Sequence, residues 1–245
     1  MITLDKKGTI NKINALREKS PMVLFKFISH SKLAVSIAIE HGWQPGARYT
    51  NLRDIKNFKS RNKCFLDIDW KNYSFEKHLE ATSTILPRIT IARDVESIFQ
   101  LDKILREAEE LQKYTSLVAI VPKDLNMSGR LEELIPSNYI LAYSVPTKYG
   151  GTSIPISSFK RPIHLLGGRP DVQRKIAEEM NVISLDCNRF TYDAKFGDYF
   201  DGKRFRPHPK GGYINCLNDS IQNINLIWKD YKQISNIHLL NKHLA

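Results

Sequence analysis

The chain has 245 residues, with 37 Lys and Arg against 26 Asp and Glu, for a formal net charge of +11 at pH 7. Apolar residues make up 42% and charged residues 26%, which is ordinary globular usage and excludes wholesale disorder, collagen-like and coiled-coil designs. No apolar run approaches the ~20 residues that span a bilayer, the opening stretch lacks the apolar segment of a secretory signal, and Cys64, Cys187 and Cys216 are too few and scattered for a disulfide framework or a Cys-rich zinc site. The expectation is a reduced, soluble, cytoplasmic protein without a membrane partner.

In chain order, residues 1–20 read as an N-terminal arm and 21–245 as one catalytic domain. Strands are expected at Met22–Ile28, Cys64–Asp69, Arg88–Asp94, Ser116–Pro122, Tyr139–Val145, Pro162–Gly168 and Asn181–Cys187, with a weak eighth at Gly212–Cys216. Most are continuous apolar runs and not alternations, as for parallel strands covered on both faces. Helical periodicity marks Ser31–His41, stopped by Gly42, then Val95–Tyr114 through Ile98, Leu101, Leu105, Ala108 and Leu111. It returns after Arg169-Pro170-Asp171, a Pro and an acid at a helix start, and over Leu217–Lys232. Seven or eight strand–helix alternations in this length are the arithmetic of an α/β (β/α)8 TIM-like barrel. A doubly wound open sheet is the alternative.

The charge favours polyanion partners, since neutralising phosphates releases counterions. Two basic stretches carry interleaved aromatics, as a phosphate-gripping and base-stacking surface would. One runs from Arg48 through Arg53 to Lys63; the other holds Lys203, Arg204, Arg206 and Lys210 with Phe205 and Tyr213. Both read as loops.

A barrel works at the carboxyl ends of its strands. The polar residues expected there are Asp67 and Asp69, Arg93 and Asp94, Lys123 and Asp124, Tyr143 and Ser144 with Tyr149-Gly150-Gly151, Gly167-Gly168-Arg169, and Asp186-Cys187-Asn188-Arg189. Carboxylates converging from different strands suit acid–base or covalent chemistry on a sugar centre, and would also suit a Mg²⁺ site. Each single Asp has the plainer reading of a helix cap or turn former. His164, inside an apolar strand, reads as a satisfied core histidine, and His78 as a helix surface residue. No GxGxxG or Walker motif occurs; Gly167-Gly168 suits close backbone approach to a ligand.

At these residues the chain resembles the tRNA-guanine transglycosylase superfamily, and within it the small phage and archaeal-virus members that place 7-deazaguanines into DNA. The stretch PIHLLGGRPDVQRKIAEEMNVISLDCN, from Pro162 to Asn188, resembles the segment in which a His-x-Leu-x-Gly-like strand leads through a helix to a strand ending in Asp-Cys. The resemblance spans about Cys64 to Asn188. It implies that Asp186 is the covalent nucleophile and Asp67, in FLDID, the general acid/base. The family's Ser-Gly-Gly is missing there and Asp69 remains a candidate. Asp94 would read the purine edge. A Gly-rich backbone around Tyr143, Ser144, Gly150 and Gly151, with Gly167 and Gly168, would contact the base. Arg48, Arg53, Arg189, Lys203, Arg204, Arg206 and Lys210 would hold the nucleic acid. Asn188-Arg189-Phe190 stands where the family has Pro-Thr-Arg, and the Cys-rich zinc subdomain of the tRNA enzymes is absent.

The implied activity is a pentosyltransferase reaction: guanine in DNA exchanged for a free 7-deazaguanine base such as 7-cyano-7-deazaguanine, without metal or organic cofactor, in the host cytoplasm if phage-encoded. The alternatives are the same exchange on tRNA, a Mg²⁺-dependent barrel hydrolase, and a non-catalytic nucleic-acid-binding protein.

Overall fold

Eight parallel strands close into a barrel in the computed structural model, which describes residues 24–232 apart from Asn57, Lys59, Ser60 and Tyr149. The strands are β1 (Phe25–Ile28), β2 (Gln44–Arg48), β3 (Phe65–Asp67), β4 (Ile89–Ile91), β5 (Leu117–Ile120), β6 (Ile140–Ser144), β7 (Ile163–Leu166) and β8 (Val182–Asp186). Each pairs with the next, and β8 closes on β1 with Asp186 opposite Phe27. The expected arm, together with Met22 and Val23 of the first expected strand, lies outside the described residues.

The seven clear expected strands are present with shorter ends. The eighth is elsewhere. It is β2, Gln-Pro-Gly-Ala-Arg, whose Pro45 and Gly46 read locally as a turn. Its partners decide it: Gln44 and Pro45 register against Phe27 and Ile28, and Gly46 to Arg48 against Phe65 to Asp67. Arg48, expected in a loop, therefore ends a strand beside Asp67. Gly212–Cys216 is no strand, because Tyr213 to Cys216 open a helix whose buried face continues through Leu217, Ile221 and Ile224.

The helices are α1 (Lys32–Glu40), α2 (Phe75–Ile85), α3 (Leu101–Gln112), α4 (Leu131–Leu134), α5 (Pro170–Ile176), α6 (Arg189–Ala194) and α7 (Tyr213–Ile227). Ser31 and Ser74 cap α1 and α2 by accepting from backbone N–H groups one turn on. α3 lays Leu101, Ile104, Ala108 and Leu111 on the barrel wall, and Pro170 opens α5 as expected. A hairpin of β9 (Asp198–Phe200) and β10 (Phe205–Pro207) lies between α6 and α7. Among the described residues no regular helix joins β2 to β3; the connection packs Ile55 and Phe58 inward. Its Arg53, Lys56 and Arg61 line a shallow depression of ≈ 860 Å³ against Ile85 and Leu86, where α2 ends. Arg53 pairs with Asp54 at 3.6 Å, and the charge of Asp54 reaches His30, just past β1. Lys59 lies outside the described residues.

Side chains inside the barrel include Phe27, Phe65, Ile89, Ile91, Ala119, Val121, Ile140 and Ala142. A bulge in β8 sets what joins them. Ile163 registers with Val182, and the next residue, His164, with Ser184, so Ile183 is the extra residue. Without it, Val182, Ser184 and Asp186 would share one face. With it, Val182 packs in the outer layer while Ser184 meets His164 and Asp186 sits opposite Phe27. Bulges of this kind re-aim side chains beside active sites. Among the described residues, no helix is long and apolar enough to cross a membrane.

Candidate active site

Asp67 and Asp186 end β3 and β8 on the same barrel mouth. Asp67 alternates with Leu66 and so shares the inward face of Phe65. Its Oδ1 accepts from the Ile68 N–H at 2.8 Å. Burial first, and then the negative charge of Asp186, push its carboxyl up to about 7, against the weaker pull of Arg48. Asp186 is buried. Its Oδ1 accepts from the Gly167 N–H at 2.8 Å and lies 3.4 Å from His164 Nε2. Among the described residues, its Oδ2 has a 3.5 Å contact with Asn188 Nδ2, so one carboxylate oxygen is held closely and the other loosely.

Beneath them, His164 stacks on Phe65 at 4.9 Å and its Nδ1 lies 2.9 Å from Ser184 Oγ. With the serine donating to Nδ1, the ring carries its proton on Nε2, toward Asp186. The expected core histidine is thus in the core and also against the candidate nucleophile. The parity of β7 and β8 after the bulge is what brings them together, and sequence spacing of 22 residues carries no trace of it.

Asp94 follows β4 and is held by Lys123 Nζ at 2.6 Å; Lys123 also pairs with Glu96 at 2.9 Å. Burial raises the Asp94 carboxyl and Lys123 opposes that. Its charge reaches Asp67, so three of the expected carboxylates share one mouth. Asp69, two residues past the end of β3, accepts from the Lys71 N–H at 3.3 Å and shapes its own turn, because the strand has ended at Asp67 and alternation with it no longer applies.

Tyr143, expected against the base, faces the other way. Ala142 takes the inward position, and Tyr143 packs edge-to-face on Phe159 at 5.2 Å in the layer outside the barrel. Ser144 ends β6 on the inward parity, its N–H bonded to Thr152 Oγ1. Gly150 closes a turn with Thr147, and Gly151 fits against Pro146 where a Cβ would collide. Tyr149 lies outside the described residues. Cys187 is buried, its thiol pushed up to about 12 mainly by desolvation, which leaves it no thiolate to attack with. His78, expected on a helix surface, is fully buried, bonded to Thr90 and Tyr73.

Gly167 and Gly168 connect β7 to Arg169 with φ of +64° and +92°. A Cβ on Gly168 would meet Val145 Cγ1 at 2.5 Å, whereas one on Gly167 would enter open space. Gly168→Ala should therefore cost ~2 kcal/mol through strain plus overlap. Gly167→Ala should cost about 1 kcal/mol through its φ alone. Urea denaturation of the two variants checks the order; equal losses would mean that Val145 yields freely.

The basic residues divide. Arg48 stands exposed at the end of β2, beside Asp67 in register. Arg189 opens α6, forms a two-pronged pair with Asp193 at 2.6 and 2.9 Å, and lies over Tyr192 and Phe205. Lys203 and Arg204 are exposed in the β9–β10 turn, their N–H groups held by Asp201 Oδ1. Arg206 is committed to Asp201 at 2.9 Å and to the Tyr199 hydroxyl. Lys210 is exposed in the turn after His208. Among the described residues, no group of three or more His, Cys, Asp or Glu is arranged to hold a metal ion.

A family model covers residues 38–229, a span that includes Asp67, Asp94, His164 and Asp186. The chain belongs to the DUF6610 family. That family is described as one of unknown function. A comparison with curated proteins found no match. The DUF6610 span begins inside α1 and ends just after α7, so it takes in strands β2 to β8 of the barrel.

Proposed function

We propose that this DUF6610 protein is a guanine transglycosylase that exchanges guanine in DNA for a free 7-deazaguanine through a glycosyl ester on Asp186. The observation that carries the reading is the pair of carboxylates on one mouth, Asp186 with Oδ2 held only by a long 3.5 Å contact from Asn188 and Asp67 with its carboxyl raised to about 7. Two carboxyl groups in differing environments divide nucleophile from proton carrier.

Asp186 Oδ2 attacks the anomeric carbon of the target nucleotide. The C–O bond forms as the bond to the purine nitrogen breaks, and Asp67, protonated, gives its proton to the departing base. The incoming deazapurine nitrogen then attacks the same carbon, the ester bond breaks, and the proton of that nitrogen returns to Asp67. The Gly167 N–H holds Oδ1 of Asp186, and the His164 ring packs against that oxygen with Nε2 at 3.4 Å and otherwise without a partner among the described residues, so that Oδ2 is left for the sugar. Lys123 opposes the rise that burial gives the Asp94 carboxyl, whose oxygens would accept from the base's N–H groups. Arg48, beside Asp67, supplies a cation for the adjoining phosphate.

Incubation with DNA and, separately, tRNA, each with labelled 7-deazaguanines, followed by digestion and nucleoside analysis, tests the reading. Label in deoxynucleosides supports it, label only in tRNA moves the same chemistry to the alternative substrate, and no label with either overturns it. Removing Lys203 and Arg204 should weaken binding and lower the log–log salt slope by about 0.7 per residue on single-stranded DNA. Arg206→Ala should act mainly on the hairpin, since its charge is already engaged. A slope unchanged in Lys203→Ala/Arg204→Ala would take the β9–β10 turn out of the interface.

A further inference from the structure

Among the described residues, Trp70, Phe99, Leu125 and Tyr192 are exposed in the segments that lead out of β3, β4, β5 and β8, and Phe196, exposed too, follows α6; Leu33, Tyr114, Ile214 and Leu226 are exposed on α1, after α3 and on α7. Trp70 comes three residues after Asp67, which ends β3, and Tyr192 six after Asp186, which ends β8, so the strand of each carboxylate leads into an exposed aromatic ring. Tyr192 and Phe196 are 54% and 69% exposed and touch each other at 5.2 Å, 61° apart. Such rings cost solubility and bury nothing within the fold, which marks a binding face.

The cations beside them identify what would cover it. Lys71 Nζ lies 5.2 Å from the Trp70 ring centre and Arg189 5.4 Å from that of Tyr192. Lys195 follows α6 and its charge reaches His30, just past β1, which places the end of α6 at the mouth. Phe205 of the hairpin sits between Arg169 and Arg189 at 5.5 and 5.9 Å. Aromatic faces interleaved with cations, in a chain of net charge +11, match a strand with alternating bases and phosphates. A duplex stacks its bases on one another and offers these rings nothing.

We infer that the barrel mouth binds an unpaired nucleic-acid strand, with bases on one side of the target stacked on Trp70 and those on the other on Tyr192 and Phe196. The inference deepens the base-exchange reading by naming the form in which the polynucleotide is held. It also explains how a base reaches Asp186 without the chain having to extrude it from a stack.

Trp70 reports on this directly. Trp43 and Trp228 are buried, while Trp70 is 59% exposed, so quenching of intrinsic fluorescence by bound bases follows Trp70. The full chain is titrated with a short single-stranded deoxyoligonucleotide and with the same sequence annealed. Tighter binding of the single strand is expected, with quenching that Trp70→Phe removes. Tyr192→Ala/Phe196→Ala should weaken binding by ~5–150-fold per base unstacked, the range that 1–3 kcal/mol per stacked base implies. Equal or tighter duplex binding, absent quenching, or unchanged affinity in the double variant overturns the inference. So does a double variant whose main change is a smaller oligomer, which would assign the rings to a second copy of the chain. The comparison of single strand with duplex uses the unaltered protein and does not depend on a variant folding. If single-strand binding behaves as expected but no base is exchanged, the base-exchange reading fails and the inference stands. If bases are exchanged without these effects, the reverse holds.

Discussion

Asp186→Asn is expected to abolish both base exchange and the covalent adduct, lowering turnover by roughly 10⁴-fold or more, as removal of a nucleophile does. The fold should tolerate it. An Asn Oδ1 can still accept from the Gly167 N–H that now reaches Asp186 at 2.8 Å, and the oligonucleotide affinity should hardly change, because one buried charge at the mouth is replaced by a group of the same shape. The change should also bring the Asp67 carboxyl down toward the ordinary range, since Asp186 contributes to holding it up. Mass spectrometry of a denatured mixture of protein and guanine-containing oligonucleotide reads the adduct. A cross-link that persists in Asp186→Asn, or that maps to Asp67 or Asp69, would assign the nucleophile elsewhere. Loss of about 0.5–2 kcal/mol of stability with activity retained would reduce Asp186 to a cap on the following turn.

Asp67→Asn is expected to stabilise the protein at pH 8 by about 2 kcal/mol and to leave it unchanged below pH ~4. The native carboxyl keeps its proton to about 7, against 3.8 as its ordinary value. Between those limits the native state binds more protons than the unfolded chain, so the wild-type protein loses stability as the pH rises through the window. Asn has no charge to bury. The full difference in proton affinity would give about 4 kcal/mol; solvent at the mouth screens part of it, since Asp67 is only partly shielded. The same substitution should block turnover, because the departing purine has no proton donor. Urea denaturation at the two pH values, beside the exchange assay, separates the effects. A variant less stable than wild type at pH 8 would mean that Asp67 is held by contacts stronger than the burial and repulsion acting on it.

The strand ends carried most of what the sequence alone determined. Runs such as LVAI and ILAYS are apolar throughout because a parallel strand is covered on both faces, and that property is local. Seven strands and the helices α1, α3 and α5 could therefore be read residue by residue, and with them the rim that holds Asp67, Asp94 and Asp186. The resemblance of Pro162 to Asn188 singled out Asp186 before any contact was known. Pairing partners decided the rest. β2 contains Pro45 and Gly46, which argue for a turn until β1 and β3 supply its register. Tyr213 to Cys216 look like a strand until the barrel is closed and leaves them no edge to join. Facing, too, is a tertiary property. Tyr143 and Ala142 differ by one position, yet only the register against β7 puts the alanine inside and the tyrosine against Phe159. The bulge at Ile183 turns Ser184 and Asp186 inward and brings His164 within 3.4 Å of the carboxylate. Composition likewise gave the excess of positive charge, while the gathering of Arg53, Lys56 and Arg61 around one depression depended on where the β2–β3 connection runs. Residue type and periodicity are encoded along the chain, whereas which groups share a desolvated space depends on strand order and register, and these exist only once the barrel has closed.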